Sequence, residues 1–112
     1  MPVLIVLGVP KKLQSLKFIN ALEQRVYGIE ELDLKNDDDV SIIFLGEASN
    51  DVIIFVEGLF NKPERTEEVR NRLADRIAQC AKSYVKEAHR IECFIHPFDP
   101  KLGFASICKA QK

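Results

Sequence analysis

Four apolar segments of strand length lie along the chain, at residues 3–7, 40–45, 52–60 and 91–95. Each is a nearly continuous run of valine, isoleucine, leucine or phenylalanine rather than an alternation of apolar and polar residues. Continuous runs are typical of strands that are covered on both faces. The pattern therefore predicts four strands in a sheet with helices on one face and another covering on the other.

Two longer segments between these runs, 11–28 and 64–88, repeat apolar residues at helical spacing. The repeated positions are Leu13, Leu16, Ile19, Leu22 and Val26 in the first segment, and Val69, Leu73, Ile77, Cys80, Ala81, Tyr84 and Ala88 in the second. Steps of three or four residues place these side chains on one face of a helix. Gly28 is a natural end for the first helix. The pattern predicts two amphipathic helices.

The predicted elements follow the order β-α-β-β-α-β, and the two halves resemble each other. Each half is a strand, a helix and a strand, which indicates a doubled β-α-β unit. Right-handed crossovers then place both helices on the same face of a four-stranded mixed sheet, so the fold class is α/β (α+β). A domain of this size cannot cover the other face itself, so we expect a partner subunit there.

Two arrangements of the strands share this order. In a ferredoxin-like fold, the second and third strands pair directly as a hairpin. In the alternative, each β-α-β unit forms a parallel pair and the two units meet back to back. The short link at residues 47–51 favours the hairpin, although a link of this length also crosses one intervening strand, since neighbouring strands lie only about 4.8 Å apart.

Length, charge and cysteine content narrow the class of protein. The 112 residues correspond to a single domain, 1–112, and the net charge of −1 gives no basic stripe for nucleic acid. No apolar run approaches the ~20 residues that span a bilayer, and residues 1–9 lack the features of a secretory signal, so we expect a cytoplasmic protein without membrane partners. Cys80, Cys93 and Cys108 form no C-x-x-C pair, which favours reduced thiols and no metal site.

Three short segments carry a resemblance to a known family. They are the opening Met1-Pro2 followed directly by a strand, residues 55–60 followed by Asn61-Lys62, and residues 91–95 followed by Leu102-Gly103-Phe104. Together they resemble the tautomerase superfamily of macrophage migration inhibitory factor and the 4-oxalocrotonate tautomerases, closest to a small uncharacterised bacterial branch. The resemblance implies the back-to-back arrangement, called the tautomerase fold, and a homotrimer.

The resemblance also implies a specific chemistry without cofactor or metal. Removal of Met1 exposes the nitrogen of Pro2, which acts as the catalytic base for keto-enol proton transfer on a small anionic substrate that carries a carboxylate. An α-amino group titrates near pH 7.7–8.0 in water, about the range a general base needs, and burial lowers this value. Lys62 and Arg65 would bind the carboxylate, and Phe104 would wall the pocket.

Each of these residues also has a simpler interpretation. Pro2 is then only the residue before the first strand, Lys62 and Arg65 are solvated loop charges, and Phe104 docks a hydrophobic tail on a neighbour. His96, at the end of a predicted strand, has the chemistry for proton transfer, but no partner for it is visible in the sequence, which favours a structural or surface role. The matching alternative for the whole chain is a non-catalytic, oligomeric ligand-binding or scaffold protein.

Overall fold

A computed structural model describes residues 2–34, 39–46 and 50–102 of the chain. The regular elements are β1 (Val3–Leu7), α1 (Leu16–Tyr27), β2 (Ser41–Leu45), β3 (Asp51–Phe60), α2 (Glu67–Tyr84) and β4 (Arg90–Phe98). Short 3-10 turns occupy Lys11–Leu13, Glu30–Leu32 and Pro100–Leu102. The predicted order β-α-β-β-α-β is therefore confirmed. Residues 105–108, a short apolar run that the sequence pattern also predicts to pair as an edge strand, lie outside the described residues.

Both helices begin later than predicted because side chains cap their first turns, and α2 also ends earlier, at Tyr84. The Ser15 hydroxyl accepts a hydrogen bond from the backbone N–H of Phe18 at 3.2 Å, so α1 begins at Leu16 and not at residue 11. The Thr66 hydroxyl accepts one from the N–H of Val69 at 3.3 Å and starts α2 in the same way. Such caps satisfy backbone donors that the first helical turn leaves unpaired.

The strand order is β2-β1-β3-β4. β1 pairs with β2 in parallel, β3 pairs with β4 in parallel, and β1 meets β3 antiparallel at the centre of the sheet. β2 and β3 are not neighbours, so the hairpin of the ferredoxin-like alternative is excluded. The back-to-back arrangement of two β-α-β units is confirmed, and the short link between β2 and β3 crosses β1.

One face of the sheet packs against both helices. Alternate strand residues such as Leu4, Val6 and Ile54 are fully buried there, as is Phe18 of α1. The Phe18 ring stacks on that of Tyr84 with centroids 4.7 Å apart. This layer is the hydrophobic core of the chain.

The other face of the sheet stays apolar but uncovered in the single chain. Ile43, Leu45 and Phe94 are 44%, 48% and 43% exposed on it. A patch of large apolar side chains on this scale is typical of a surface that binds another protein. No helix in the described ranges is long and apolar enough to cross a membrane.

β4 extends further than the predicted segment 91–95 and includes His96 and Pro97. Proline cannot donate to a ladder, but an edge strand has one side that needs no donor. β4 is such an edge strand. The extension carries β4 to the end of the sheet where β1 begins. There the carbonyl of Phe98 accepts a hydrogen bond from Asn61, the first residue after β3.

Candidate functional site

The residues of interest gather at one end of the sheet, where β1 and β2 begin and β3 and β4 end. We call this the proline end, since Pro2 lies there directly before β1. Pro2 is buried, and its carbonyl accepts a hydrogen bond from the N–H of Ser41 at 3.1 Å. Val3 of β1 pairs with Glu57 of β3, so Pro2, the residue before Val3, lies beside the last residues of β3. Pro2 thus lies at the end of the sheet where the central strand β1 begins.

Residues 61–65, the connection from β3 to α2, form a structured loop at the same end. The N–H of Asn61 donates to the carbonyl of Phe98 at 2.7 Å, and the N–H of Arg65 donates to that of Lys62 at 2.9 Å. The first bond ties the loop to the end of β4, and the second closes a turn. Lys62 is exposed on this turn, which leaves its ammonium group available to an anion.

Arg65 is buried, with 6% of its surface exposed. Its Nη1 donates to the carbonyl of Phe60 at 2.7 Å, and its Nη2 donates to that of Leu32 at 2.8 Å. Burial lowers the pKa of Arg65, while Glu64 and Asp33 act in the opposite direction. Within the part of the chain that the structure describes, its Nε has no hydrogen-bond partner. Arg65 therefore joins the end of β3 to the turn before β2 and also places a buried positive charge at the proline end.

Lys62 and Arg65 line one cavity of about 410 Å³. The full lining is Asn61, Lys62, Pro63, Arg65, Arg70, Asp99 and Lys101. Four of these residues are cationic and one is acidic, so the cavity attracts anions. Arg70 also supports the loop, because its Nη1 donates to the carbonyl of Arg65 at 2.6 Å. We call this space the cationic cavity.

The structure brings together two of the four predicted site residues. Lys62 and Arg65 share the cationic cavity, whereas Pro2 lies at the same end of the sheet without lining it. Phe104 lies outside the described residues. A group of three or more histidine, cysteine, aspartate or glutamate side chains that could hold a metal ion is absent from the described ranges.

A pair of side chains that the sequence analysis did not join also lies at the proline end. The ladder between β3 and β4 shifts register, pairing Val56 with Ile95 and then Leu59 with Pro97. Glu57 and Gly58 therefore oppose the single residue His96, which makes a β-bulge. Gly58 has a φ of 74°, a value that favours glycine. The bulge brings the Glu57 carboxylate to 2.6 Å from Nδ1 of His96.

The sequence held a weak signal for this pair. Glu57-Gly58 interrupts the apolar run of the third strand, and an interruption by a charge and a glycine is typical of a bulge. Only the register between β3 and β4 in the structure shows that His96 lies opposite Glu57 and Gly58.

The thiols of Cys80, which is buried, and Cys93, which is half-buried, take no part in this site. Cys80 and Cys93 are both free. Burial, with a smaller contribution from Asp75, raises the pKa of Cys93 to about 12, and burial also raises the pKa of Cys80. Neither thiol is ionised near neutral pH, so neither is a nucleophile.

Comparisons with known proteins support the fold. No family model matches the sequence, and no curated protein matches it. Among solved structures, the chain is similar to macrophage migration inhibitory factor from Toxoplasma gondii, with a TM-score of 0.63, 13% identity, and coverage of 93% of this chain and 95% of that one. A fused 4-OT, described as a wild-type symmetric trimer, has a TM-score of 0.63 at 11% identity, over 89% of this chain and 86% of that one.

A third structure, N1 of the cis-3-chloroacrylic acid dehalogenase family, has a TM-score of 0.59 at 11% identity and covers 89% of this chain and 77% of that one. All three are tautomerase superfamily structures. The similarity extends over most of each chain and agrees with the observed strand order. The resemblance to this superfamily is confirmed at the level of structure: this chain has the tautomerase fold.

Proposed function

We propose that this protein is a small, cofactor-independent isomerase that moves a proton between the keto and enol forms of a small carboxylate-bearing substrate. The observation that carries the proposal is the position of Pro2. In a tautomerase fold, it lies at the start of a central strand, at the same end of the sheet as the cationic cavity. Proton abstraction next to a carbonyl needs a base and a nearby cation, and this end of the sheet supplies both residue types.

Pro2 is the proposed base. Once Met1 is removed, its nitrogen is a secondary amine with a lone pair, whereas an amide nitrogen is not basic. Pro2 is buried, and burial disfavours the charged form of an amine, which brings its titration towards neutral pH. A base of this kind can take a proton from carbon and return it to another position.

Lys62 and Arg65 are the proposed cations for the substrate carboxylate. Lys62 is exposed at the cavity and offers a flexible point charge. Arg65 adds its charge from a fixed position below the loop, with its two terminal nitrogens held by carbonyls. Phe104 as a wall of the pocket stays a prediction, as do the cytoplasmic location and the expectation of no nucleic-acid or membrane partner.

A homotrimer is the assembly that we propose. The uncovered sheet face, with Ile43, Leu45 and Phe94 between 43% and 48% exposed, is the surface it would bury. The similar fused 4-OT structure is itself a trimer. Pro2 does not line the cationic cavity of its own chain. We propose that a neighbouring subunit in the trimer completes a pocket that contains both Pro2 and the cations.

The test is the interconversion of the keto and enol forms of phenylpyruvate by the methionine-free protein. Pro2→Ala should lower kcat strongly, with some activity left to the new primary amine. Lys62→Ala should raise KM more than it lowers kcat, because uniform binding of ground and transition states acts on KM. Lys17→Ala removes an exposed cation of α1 and serves as the matched control. Equal rates for wild type, Pro2→Ala and Lys62→Ala would refute the proposal.

A non-catalytic, oligomeric ligand-binding protein is the second candidate. The observation that favours it is the separation of Pro2 from the cavity lining in the single chain. The intact mass of protein from the cell distinguishes the two candidates. Retained Met1 leaves Pro2 an amide and supports the binding protein, whereas its loss supports the isomerase.

A further inference from the structure

A second cavity lies at the end of the sheet opposite the proline end. It has a volume of about 230 Å³ and lies between the turn after β1 and the segment that follows α2. Its walls are Pro10, Lys12 and Leu13 on one side and residues 84–87 on the other. β1 ends and β4 begins at this end of the sheet, whereas the cationic cavity lies where β3 ends. We call this second space the distal cavity.

Hydrogen bonds hold both walls of the distal cavity. In the turn after β1, the N–H of Leu13 donates to the carbonyl of Pro10 at 2.8 Å. In the segment after α2, Nζ of Lys82 donates to the carbonyls of Lys86 and Ala88 at 3.0 and 2.9 Å. Both walls are therefore fixed by the fold itself, which is typical of small-molecule sites.

The core side of the cavity is apolar. The ring of Tyr84 is stacked on that of Phe18, Leu13 packs against the core, and Val85 is buried within it. A ligand that fills this space therefore needs an apolar body. The volume of about 230 Å³ lies just below the roughly 300–1,000 Å³ of sites for drug-sized ligands, so the body is no larger than one ring or a short chain.

The charged residues of the lining favour an anion. Lys12, Lys86 and Glu87 are exposed and together carry a net charge of +1. Among the described residues, no side chain pairs with the ammonium group of Lys12 or Lys86. The C-terminal end of α2 contributes a partial negative charge, which is offset by Lys82, whose ammonium group is bound to carbonyls there. Two unpaired cations thus stand beside an apolar wall.

We infer that the distal cavity is a second binding site of this protein and that it takes a small monocarboxylate with an apolar body, such as a single aromatic ring. The carboxylate would bind Lys12 and Lys86, and the ring would contact Tyr84 and Val85. The site lies on the helix side of the sheet, so a trimer that buries the helix-free face leaves it open. The inference does not depend on the proposed keto-enol reaction at the proline end.

The experiment is a titration of the full chain with benzoate, followed by NMR at the backbone amides of Leu13 and Val85. Benzoate should shift both resonances to saturation. Benzamide keeps the ring but has no charge, and acetate keeps the charge but has no ring. Each should bind more weakly than benzoate at this site, because each lacks one of the two features that the lining matches. Benzamide binding as tightly as benzoate would overturn the choice of an anion, and acetate binding as tightly would overturn the need for an apolar body.

Charge variants test the two lysines without disturbing the core. The double variant Lys12→Gln, Lys86→Gln should weaken benzoate binding roughly fivefold, as expected for the loss of two exposed ion pairs. The matched control is Lys11→Gln, Lys17→Gln, which removes the same charge from exposed positions outside the lining and should leave the affinity unchanged. Equal affinities of the two double variants would overturn the assigned carboxylate contacts.

The same titration separates the distal cavity from the cationic cavity. Lys62→Ala should leave the shifts of Leu13 and Val85 unchanged, because Lys62 lines only the cationic cavity of these two. Saturable shifts at Leu13 and Val85 in a protein without keto-enol activity would refute the proposed function and still support the second site. Resonances of Leu13 and Val85 that do not move at millimolar benzoate would overturn the inference.

Discussion

Replacing Arg65 by methionine should destabilise the protein far more than its place in a surface loop implies. Methionine keeps most of the apolar stem of the side chain but removes the guanidinium group. The carbonyls of Phe60 and Leu32 then lose donors that lie 2.7 and 2.8 Å away. The bond to Leu32 is buried and connects residues that are far apart in sequence.

The size of the effect follows from these two bonds. Each hydrogen bond from a charged donor contributes about 1.5–3 kcal/mol. Removing a buried charge returns part of this, because the guanidinium no longer has to be taken out of water. We expect a net loss of about 2–4 kcal/mol in the free energy of unfolding, which is a large part of the stability of a small domain.

The assay is urea unfolding followed by circular dichroism at a single protein concentration, since assembly makes stability depend on concentration. Lys62→Met is the matched control: it removes a cation from the same loop but from an exposed position, so stability should change by about 0.5 kcal/mol or less. An Arg65→Met variant with the wild-type midpoint and m-value would show that the two carbonyl contacts do not hold the loop.

Three further predictions concern the core, a thiol and the open sheet face. Phe18→Ala should cost about 3–5 kcal/mol in urea unfolding, because Phe18 is fully buried and stacked on Tyr84; a loss below about 1 kcal/mol would contradict this packing. Cys93, with a pKa raised to about 12, should resist a thiol-alkylating reagent at pH 8 in the folded protein and react in urea, and rapid alkylation of the folded protein would refute this. Because the unfolded thiol ionises above about pH 9 while the folded thiol stays neutral up to about pH 12, the stability of the protein should fall as the pH rises between these two values. Phe94→Lys should convert the proposed trimer to monomer in sedimentation, whereas an unchanged mass would remove the sheet face from the interface.

Much of the fold could be predicted from the order of apolar patterns. The strands and helices follow from the local spacing of apolar residues. The exact helix starts do not, because each depends on a single capping residue, Ser15 or Thr66, that is not part of the apolar pattern. The strand order could not be deduced from spacing, because the short link between β2 and β3 allows both a hairpin and a crossing of β1. Only the resemblance to the tautomerase superfamily favoured the crossing of β1 over the hairpin, and the observed strand order confirms the crossing.

The candidate site was predictable only in its residue types. Lys62 and Arg65 precede a helix, so their place near one cavity was foreseeable. Arg65 also donates to the carbonyl of Leu32, which belongs to a turn far away in the sequence. No local sequence pattern connects these two residues. The contact of Glu57 with His96 depends on a one-residue bulge between two strands, and register is a property of the assembled sheet.

The absence of a hairpin from the described sheet has a consequence for how the chain folds. Each ladder joins strands that are separated by at least one whole helix, since α1 lies between β1 and β2 and α2 between β3 and β4, while the β1–β3 ladder spans α1 and β2 together. Such loops must close before their contacts contribute, which slows folding relative to helical domains. We expect the two β-α-β halves to form first and the central ladder to form last. A chain arrested at that stage would present β1 and β3 as open edges, the state most exposed to aggregation.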